Sequence, residues 1–231
     1  MLGIRRLVPL ALIAALGATA CGGTAAAPPA AHVLGTDVTD AQLATTANVF
    51  KALFGLQHAP CGQVSGAGDT AEAACNRYAL NALIGFRLAE TYATEHGVAV
   101  ADADVQRAID GFETQVGKDT LGAQLLANGA SHDEFTELVR LSLLENEVSK
   151  RLAQEKATGG TVTQQDQSVA FGAWIREQDQ AGQIDVNPSF GRFDPQTLQV
   201  VRINSTDPSA TVTPSGVPSP TGASPSAPAS G

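Results

Sequence analysis

Basic residues, aromatics and sulfur are all scarce in this 231-residue chain. Lys and Arg number 14 against 23 Asp and Glu, for a formal net charge of −9. A surface so poor in cations argues against nucleic acid or an anionic membrane face as a partner, because both are bound by neutralising their phosphates. The chain has no phosphate-cradling G-x-x-x-x-G-K, no H-E-x-x-H and no G-x-S-x-G elbow, so the NTPase, zinc-protease and serine-hydrolase signatures are missing. Carboxylate pairs of the glycosidase kind come from distant positions and stay open on sequence alone. The four histidines, His32, His58, His96 and His132, fall at element ends or in loops without ligand spacing, so no metal and no cofactor is expected. His132-Asp133-Glu134 resembles a catalytic cluster, but a helix start explains it better, with acids placed in the first turn. After the first twenty residues no apolar run reaches the ~20 needed to cross a bilayer.

What is there begins with an export signal. Arg5 and Arg6 form a positive n-region, Leu7 to Leu16 an apolar stretch broken by Pro9, and Ala18-Thr19-Ala20 a small-residue cleavage site followed by Cys21. Leu16-Gly17-Ala18-Thr19-Ala20-Cys21 resembles the L-x-[AS]-[GA]-C box of bacterial lipoproteins, one residue longer than its commonest form. The resemblance implies lipidation at Cys21 and a mature protein held to the cell membrane, on its extracytoplasmic face, through that lipid alone. The rival is ordinary signal cleavage beside an incidental cysteine. Residues 1–20 are the signal peptide and 21–32, with Pro28-Pro29, read as a flexible tether. Residues 204–231 are nearly all Ser, Pro, Thr, Ala and Gly, too poor in large apolar groups to offset their ordering entropy. They read as a disordered tail, with a glycosylated stalk or wall-associated extension as the alternative.

Residues 33–203 are then one domain. With Cys21 assigned to lipid, Cys61 and Cys75 remain as an even pair in an oxidising compartment, and a disulfide between them is expected. It would close a loop of about 15 residues worth on the order of 3 kcal/mol, stapling a floppy insertion. A redox or metal site is the weaker reading, because no C-x-x-C exists and His58 has no partners at ligand spacing.

Caps and stops predict an all-α domain. Thr39-x-x-Gln42 and Ser131-x-x-Glu134 are capping boxes, with Thr163-x-x-Asp166 a looser version, while Gly97, Gly117, Gly129, Gly159-Gly160 and Gly182 fall where helices should end. Apolar spacing predicts helices over 71–96 (Leu80, Leu83, Ile84, Leu88, Tyr92), 102–116 (Val105, Ile109, Phe112, Val116), a short element at Leu121, Leu125 and Leu126, 132–156, and 164–181 with Val169, Phe171, Trp174 and Ile175. The helix over 132–156 should span the domain and act as its backbone. Beyond Gly182 two prolines and Gly191 exclude a continuous helix. Leu198, Val200 and Val201 allow a short strand, which would pair with Val33 to Val38 as a small two-stranded closure of the chain ends.

This order of elements resembles the N-terminal chaperone domain of SurA and of PrsA-type foldase lipoproteins, over about 33–203. Val33-Leu34-Gly35-Thr36-Asp37-Val38-Thr39 is similar to its opening strand and capped helix, and Asn81 to Leu88 to its "aLd-LIe-rLL" helix. His96 to Val105 is similar to its "gi-vsd-ev" joint, with Ala101 in place of the usual hydroxyl cap and Asp102 left to cap. Leu126 to Ser131 followed by Phe135 resembles the opening of its last long helix. Val186-Asn187-Pro188-Ser189-Phe190-Gly191-Arg192-Phe193-Asp194 resembles the "V-N-P-R-Y-G-x-[WF]-D" ending of related lipoproteins from high-GC Gram-positive bacteria, with Ser189 where arginine is common. In those foldases a parvulin isomerase domain separates the last long helix from the returning one. Here that interval is only Gln154 to Thr163, so the isomerase is missing.

The resemblance implies an extracytoplasmic, non-enzymatic chaperone-like protein whose partners are unfolded or newly exported polypeptides. A divergent peptidyl-prolyl isomerase is the enzymatic alternative. Such a protein needs an apolar groove open to water, for which Phe50, Phe54, Phe86, Phe112, Phe171 and Trp174 are the candidates, each with core packing as its rival role. The single Met argues against an adaptable Met-rich surface, and a scaffold for one envelope complex is the alternative function. Cys21→Ala should release the protein from the membrane or stall its processing; continued sedimentation with membranes at high salt would exclude the lipid anchor.

Overall fold

The computed structural model describes residues 28–157, 159 and 161–203. Cys21, the leader and the 204–231 segment lie outside the described residues. Six helices are present among the described residues: α1 (Asp40–Leu56), α2 (Ala71–His96), α3 (Asp102–Val116), α4 (Lys118–Ala127), α5 (His132–Lys156) and α6 (Gln164–Gln180). Five three-residue strands frame them: β1 (Ala31–Val33), β2 (Thr36–Val38), β3 (Ile184–Val186), β4 (Arg192–Asp194) and β5 (Gln199–Val201). The architecture is mainly helical.

Local chemistry sets the helix bounds. Thr39, Ser131 and Thr163 each accept a hydrogen bond from the amide three residues on, and the side chains of Gln42, Glu134 and Asp166 each accept one from the cap amide, so all three boxes are complete. The Thr163 box, loose by sequence, is as full as the others. Gly97 ends α2 in the left-handed conformation at φ 65°, which costs glycine no Cβ clash. At α3 the expected cap is absent. Ala101 is the N-cap and offers no side chain, while Asp102 instead pairs with Arg140 of α5 at 2.9 Å.

Two long helices form the centre. α2 carries buried residues around most of its circumference, with Leu80, Ile84 and Leu88 fully enclosed. α1, α5, β1, β2 and β5 all lie against it. α5 touches α1, α2, α3 and α6, so the expected backbone helix shares that role with α2. Contacts advance in the same sense along both, Gly85 lying against Glu145 and Tyr92 near Arg151 and Glu155. Leu121 and Leu125 of α4 are buried, but Leu126 is 79% exposed; adjacent positions on a helix point about 100° apart, so it cannot share their face.

The strands differ from the expected closure. Val33 to Val38 is a hairpin, not one strand: β1 and β2 pair antiparallel across Leu34-Gly35, both at positive φ (50° and 74°), as a two-residue turn matched to strand twist requires. β1 also pairs with β3, His32 opposite Asp185, giving the order β2-β1-β3. The Leu198–Val201 strand pairs with β4 rather than with β1. Chain ends are joined as expected, but by Ile184–Val186. Ala30 and Ala31, assigned to the tether by sequence, are buried in this layer, so the fold begins before residue 33.

The V-N-P turn is a clasp. The Asn187 amide donates to Ala30 O (3.0 Å) and its side-chain Nδ2 to Pro29 O (3.2 Å), while its Oδ1 accepts from the Ser189 amide and hydroxyl. Gly191 sits so close to the Val201 carbonyl that a Cβ has no room. Asn187→Ala should therefore lower stability by about 1–3 kcal/mol through lost and stranded hydrogen bonds, and Ser189→Ala by much less, as read by urea denaturation.

Candidate functional site

The aromatic candidates fall into separate clusters. Phe50 and Phe54 on α1 both meet Tyr78 of α2 edge-on, at 4.9 and 5.2 Å between ring centroids. Phe112 of α3 packs on Phe135 of α5 at 5.5 Å. Phe171 and Trp174 of α6 lie 5.9 Å apart, and Trp174 meets Tyr92 edge-on at 5.4 Å. Phe86 is buried, as are Phe50 and Phe171, while Phe54, Phe112 and Trp174 are partly buried against the core. No single groove collects the six.

Two open clefts lie elsewhere. One, about 350 Å³, is a trough between the end of α5 and the start of α6, where Ala153, Ala157, Val162, Val169, Ala170 and Ala173 share the lining with Lys156, Thr161 and Asp166. Val169 is 59% exposed there. The trough lies where α5 ends at Lys156 and α6 begins after the Thr163 cap. The other, about 320 Å³, lies between the 98–100 connection and α5, over Ala93, Val98, Val100 and Leu144, with Glu90 and Arg140 at its edges. Neither cleft gathers the convergent polar groups expected of a small-molecule or catalytic site.

The disulfide loop is built, not floppy. Cys61 and Cys75 are bonded, and within the loop Asp69 accepts from the Ser65 amide and hydroxyl and from the Arg77 guanidinium. This pair is nearly dry, the side chains being 1% and 10% exposed. Burial opposes the charge on Asp69, but Arg77 and Ser65 outweigh it and hold the carboxyl below its ordinary range. Arg202 donates to Ala67 O at 2.8 Å, tying the end of β5 to the loop. The missed signal was an acid inside the cysteine-flanked segment with an arginine two residues past Cys75.

Two titratable groups are set against the core. Tyr92, stacked on His96 at 3.9 Å, has a buried hydroxyl near Glu155 and Arg151; burial first, then Glu155, raises its pKa. Glu145 lies against α2 where Gly85 has no side chain, its Oε2 3.4 Å from where a Cβ would stand, and burial pushes its carboxyl up to about 7. Sequence carried a sign of this. Glu145 occupies the helical stripe that runs through Leu141, Val148 and Leu152, where a charge is out of place.

The histidines serve local pairing. His32 meets Asp37 across the β1–β2 hairpin, and His132 reaches Glu113 at 3.0 Å. Among the described residues no group of three or more His, Cys, Asp or Glu is placed to hold a metal ion, and no helix is long and apolar enough to cross a membrane. Compared with known protein families, curated proteins and solved structures, the chain matches none.

Removing one member of the dry pair leaves the other charge buried. Asp69→Ala should cost about 3–5 kcal/mol by urea denaturation; Asp185→Ala, exposed on β3, should change stability by under about 0.5 kcal/mol.

Proposed function

We propose that the protein is a lipid-anchored holding chaperone, with a SurA N-terminal-like helical domain that binds non-native or newly exported polypeptides outside the cytoplasmic membrane and catalyses nothing. The trough between α5 and α6 carries this reading. Alanine and valine line it together with Lys156, Thr161 and Asp166, its mouth is open, and a 59%-exposed Val169 lies on its edge. Apolar surface left in water is costly at roughly 25 cal/mol per Å², and a trough of small side chains accepts varied apolar groups without demanding a fixed polar geometry. Its place supports the same reading, since the 157–163 connection is the interval in which the resembling foldases carry their isomerase. The partly buried Trp174 lies on α6 one turn beyond Ala170, and its emission is the probe for a bound client.

The test uses the chain from residue 22 onward. At near-stoichiometric ratio it should slow aggregation of several unrelated denatured clients, with little weakening by salt, because apolar contact carries the binding. The slow cis/trans phase of a proline-limited refolding reaction should be unchanged. Val169→Asp should reduce holding several-fold while leaving the urea midpoint in place. Tight binding to one envelope protein with no effect on any other client would establish a dedicated scaffold instead, and catalysed isomerisation would overturn the proposal.

A further inference from the structure

The connection from α2 to α3 leaves its backbone unused. The disulfide loop is knit by Asp69 and the V-N-P turn by Asn187. Here, once the Val98 amide has closed the α2 C-cap on Ala93 O, the backbone makes no hydrogen bond until the Ala101 carbonyl takes the first amides of α3. Among the described residues, the amides and carbonyls of Ala99 and Val100 have no partner. The segment has the character of a strand: Val98, Ala99, Val100 and Ala101 alternate half-buried and exposed, the period of β structure, and Ala101 is extended at φ −75°, ψ 142°. Residues 98–101 are thus ~13 Å of strand edge that pairs with nothing.

This edge borders the cleft of about 320 Å³, whose apolar lining it shares with Ala93 and Leu144 and whose charged lining is Glu90 and Arg140. Glu90 takes Arg87 at 2.8 Å and Arg140 donates to Asp102 at 2.9 Å, but all four side chains reach solvent. Exposed pairs of this kind are weak, so one acid and one base are left able to meet side chains of opposite charge. Together these features call for one kind of occupant. Donors and acceptors repeated at strand spacing are matched by a second backbone, and an apolar floor beside them by every other side chain of that backbone. An acid and a base at the same cleft fit a segment that carries a base and an acid.

We propose that residues 98–101 are a docking edge on which an extended polypeptide segment, apolar at alternate positions and flanked by one basic and one acidic residue, adds as a β-strand. The cleft is separate from the trough, with no lining residue in common. The inference deepens the proposed function, since the identity of the segment as part of a non-native client rests on that reading; the edge itself does not. Strand addition suits such clients, because the ladder reads only backbone while the floor selects alternate side chains.

The experiment uses the chain from residue 22 onward and, as probe, an acetylated and amidated heptapeptide of alternating valine and threonine between a terminal lysine and a terminal glutamate. In a nuclear magnetic resonance titration the amide signals of 98–101 should shift. Hydrogen exchange should slow at one of Ala99 and Val100 and not at the other, because successive amides of a strand point to opposite edges. Ala99→Pro and Val100→Pro each remove one amide, and the φ of proline suits an extended backbone. One of the two should weaken the probe about tenfold and the other should leave it unchanged, at equal urea midpoints. The same peptide with its backbone amides N-methylated should not bind. Equal weakening by both variants, full binding of the N-methylated peptide, or shifts confined to the trough residues of α6 would overturn the proposal. So would protection of 98–101 that appears on raising the protein concentration without probe, which assigns the edge to a second copy. If a proline variant fails to fold, the exchange pattern of the native chain decides alone. Aggregation assays on the same samples read the holding role separately: probe bound at 98–101 with no client held removes that role and leaves the docking edge, and clients held with no probe bound does the reverse.

Discussion

The fold depends on burying α2 on nearly every side. A helix enclosed by neighbours on several faces cannot carry large residues all round, because interhelical distances of 8–10 Å leave too little space. α2 meets this with Leu80, Ile84 and Leu88 as fully buried bulk, alternating with Ala79, Gly85, Ala89 and Ala93 where neighbours come close. Its ends are fixed by different chemistry. The Cys61–Cys75 bond and the Asp69–Arg77 pair hold the first turns, while Tyr92, His96 and Trp174 stack around the last. α1, α5 and the strand layer are then arranged about a rod whose surface is already set.

Helices were legible because their signals are local. A capping box is read within four residues and an apolar stripe within one element, so the bounds of α5 and the ends of α2 and α3 follow from Ser131, Gly97, Gly117 and the stripes between them. Strands were not, because three residues carry too little pattern to choose a partner. Leu34-Gly35 hid the first hairpin, since leucine is an unusual residue at positive φ, and without that turn Val33 to Val38 reads as one strand. The pairing of β1 with β3 joins residues about 150 apart in sequence, a choice made by the Asn187 clasp and by burial of Ala30 and Ala31 rather than by β1's own composition.

The clefts were illegible for a related reason. Aromatics are the largest apolar residues and draw attention in a sequence, yet here their size sends three of the six into the core, where burial of each is worth about 1.5–3 kcal/mol. The trough left open combines alanine and valine with Lys156, Thr161 and Asp166, which in sequence look like ordinary helix filler and surface residues. The trough sits where the end of α5 meets the start of α6, a juxtaposition of two helix ends. Composition cannot report it.

Glu145 and the trough share α5, two turns apart, and their opposite demands explain an otherwise odd choice of residues. A helix that both anchors the core and presents an apolar surface gains stability from every buried methylene, and a leucine opposite Gly85 would fill the notch at no cost in polarity. A carboxyl there gives up that gain, one turn along α2 from an Asn81 Oδ1 that is itself buried without a partner. Stability is therefore not what the position maximises. Firm seating of α5 falls instead to Phe135, Leu138, Val148 and Leu152, while burial beside Gly85 raises the Glu145 carboxyl above its ordinary range.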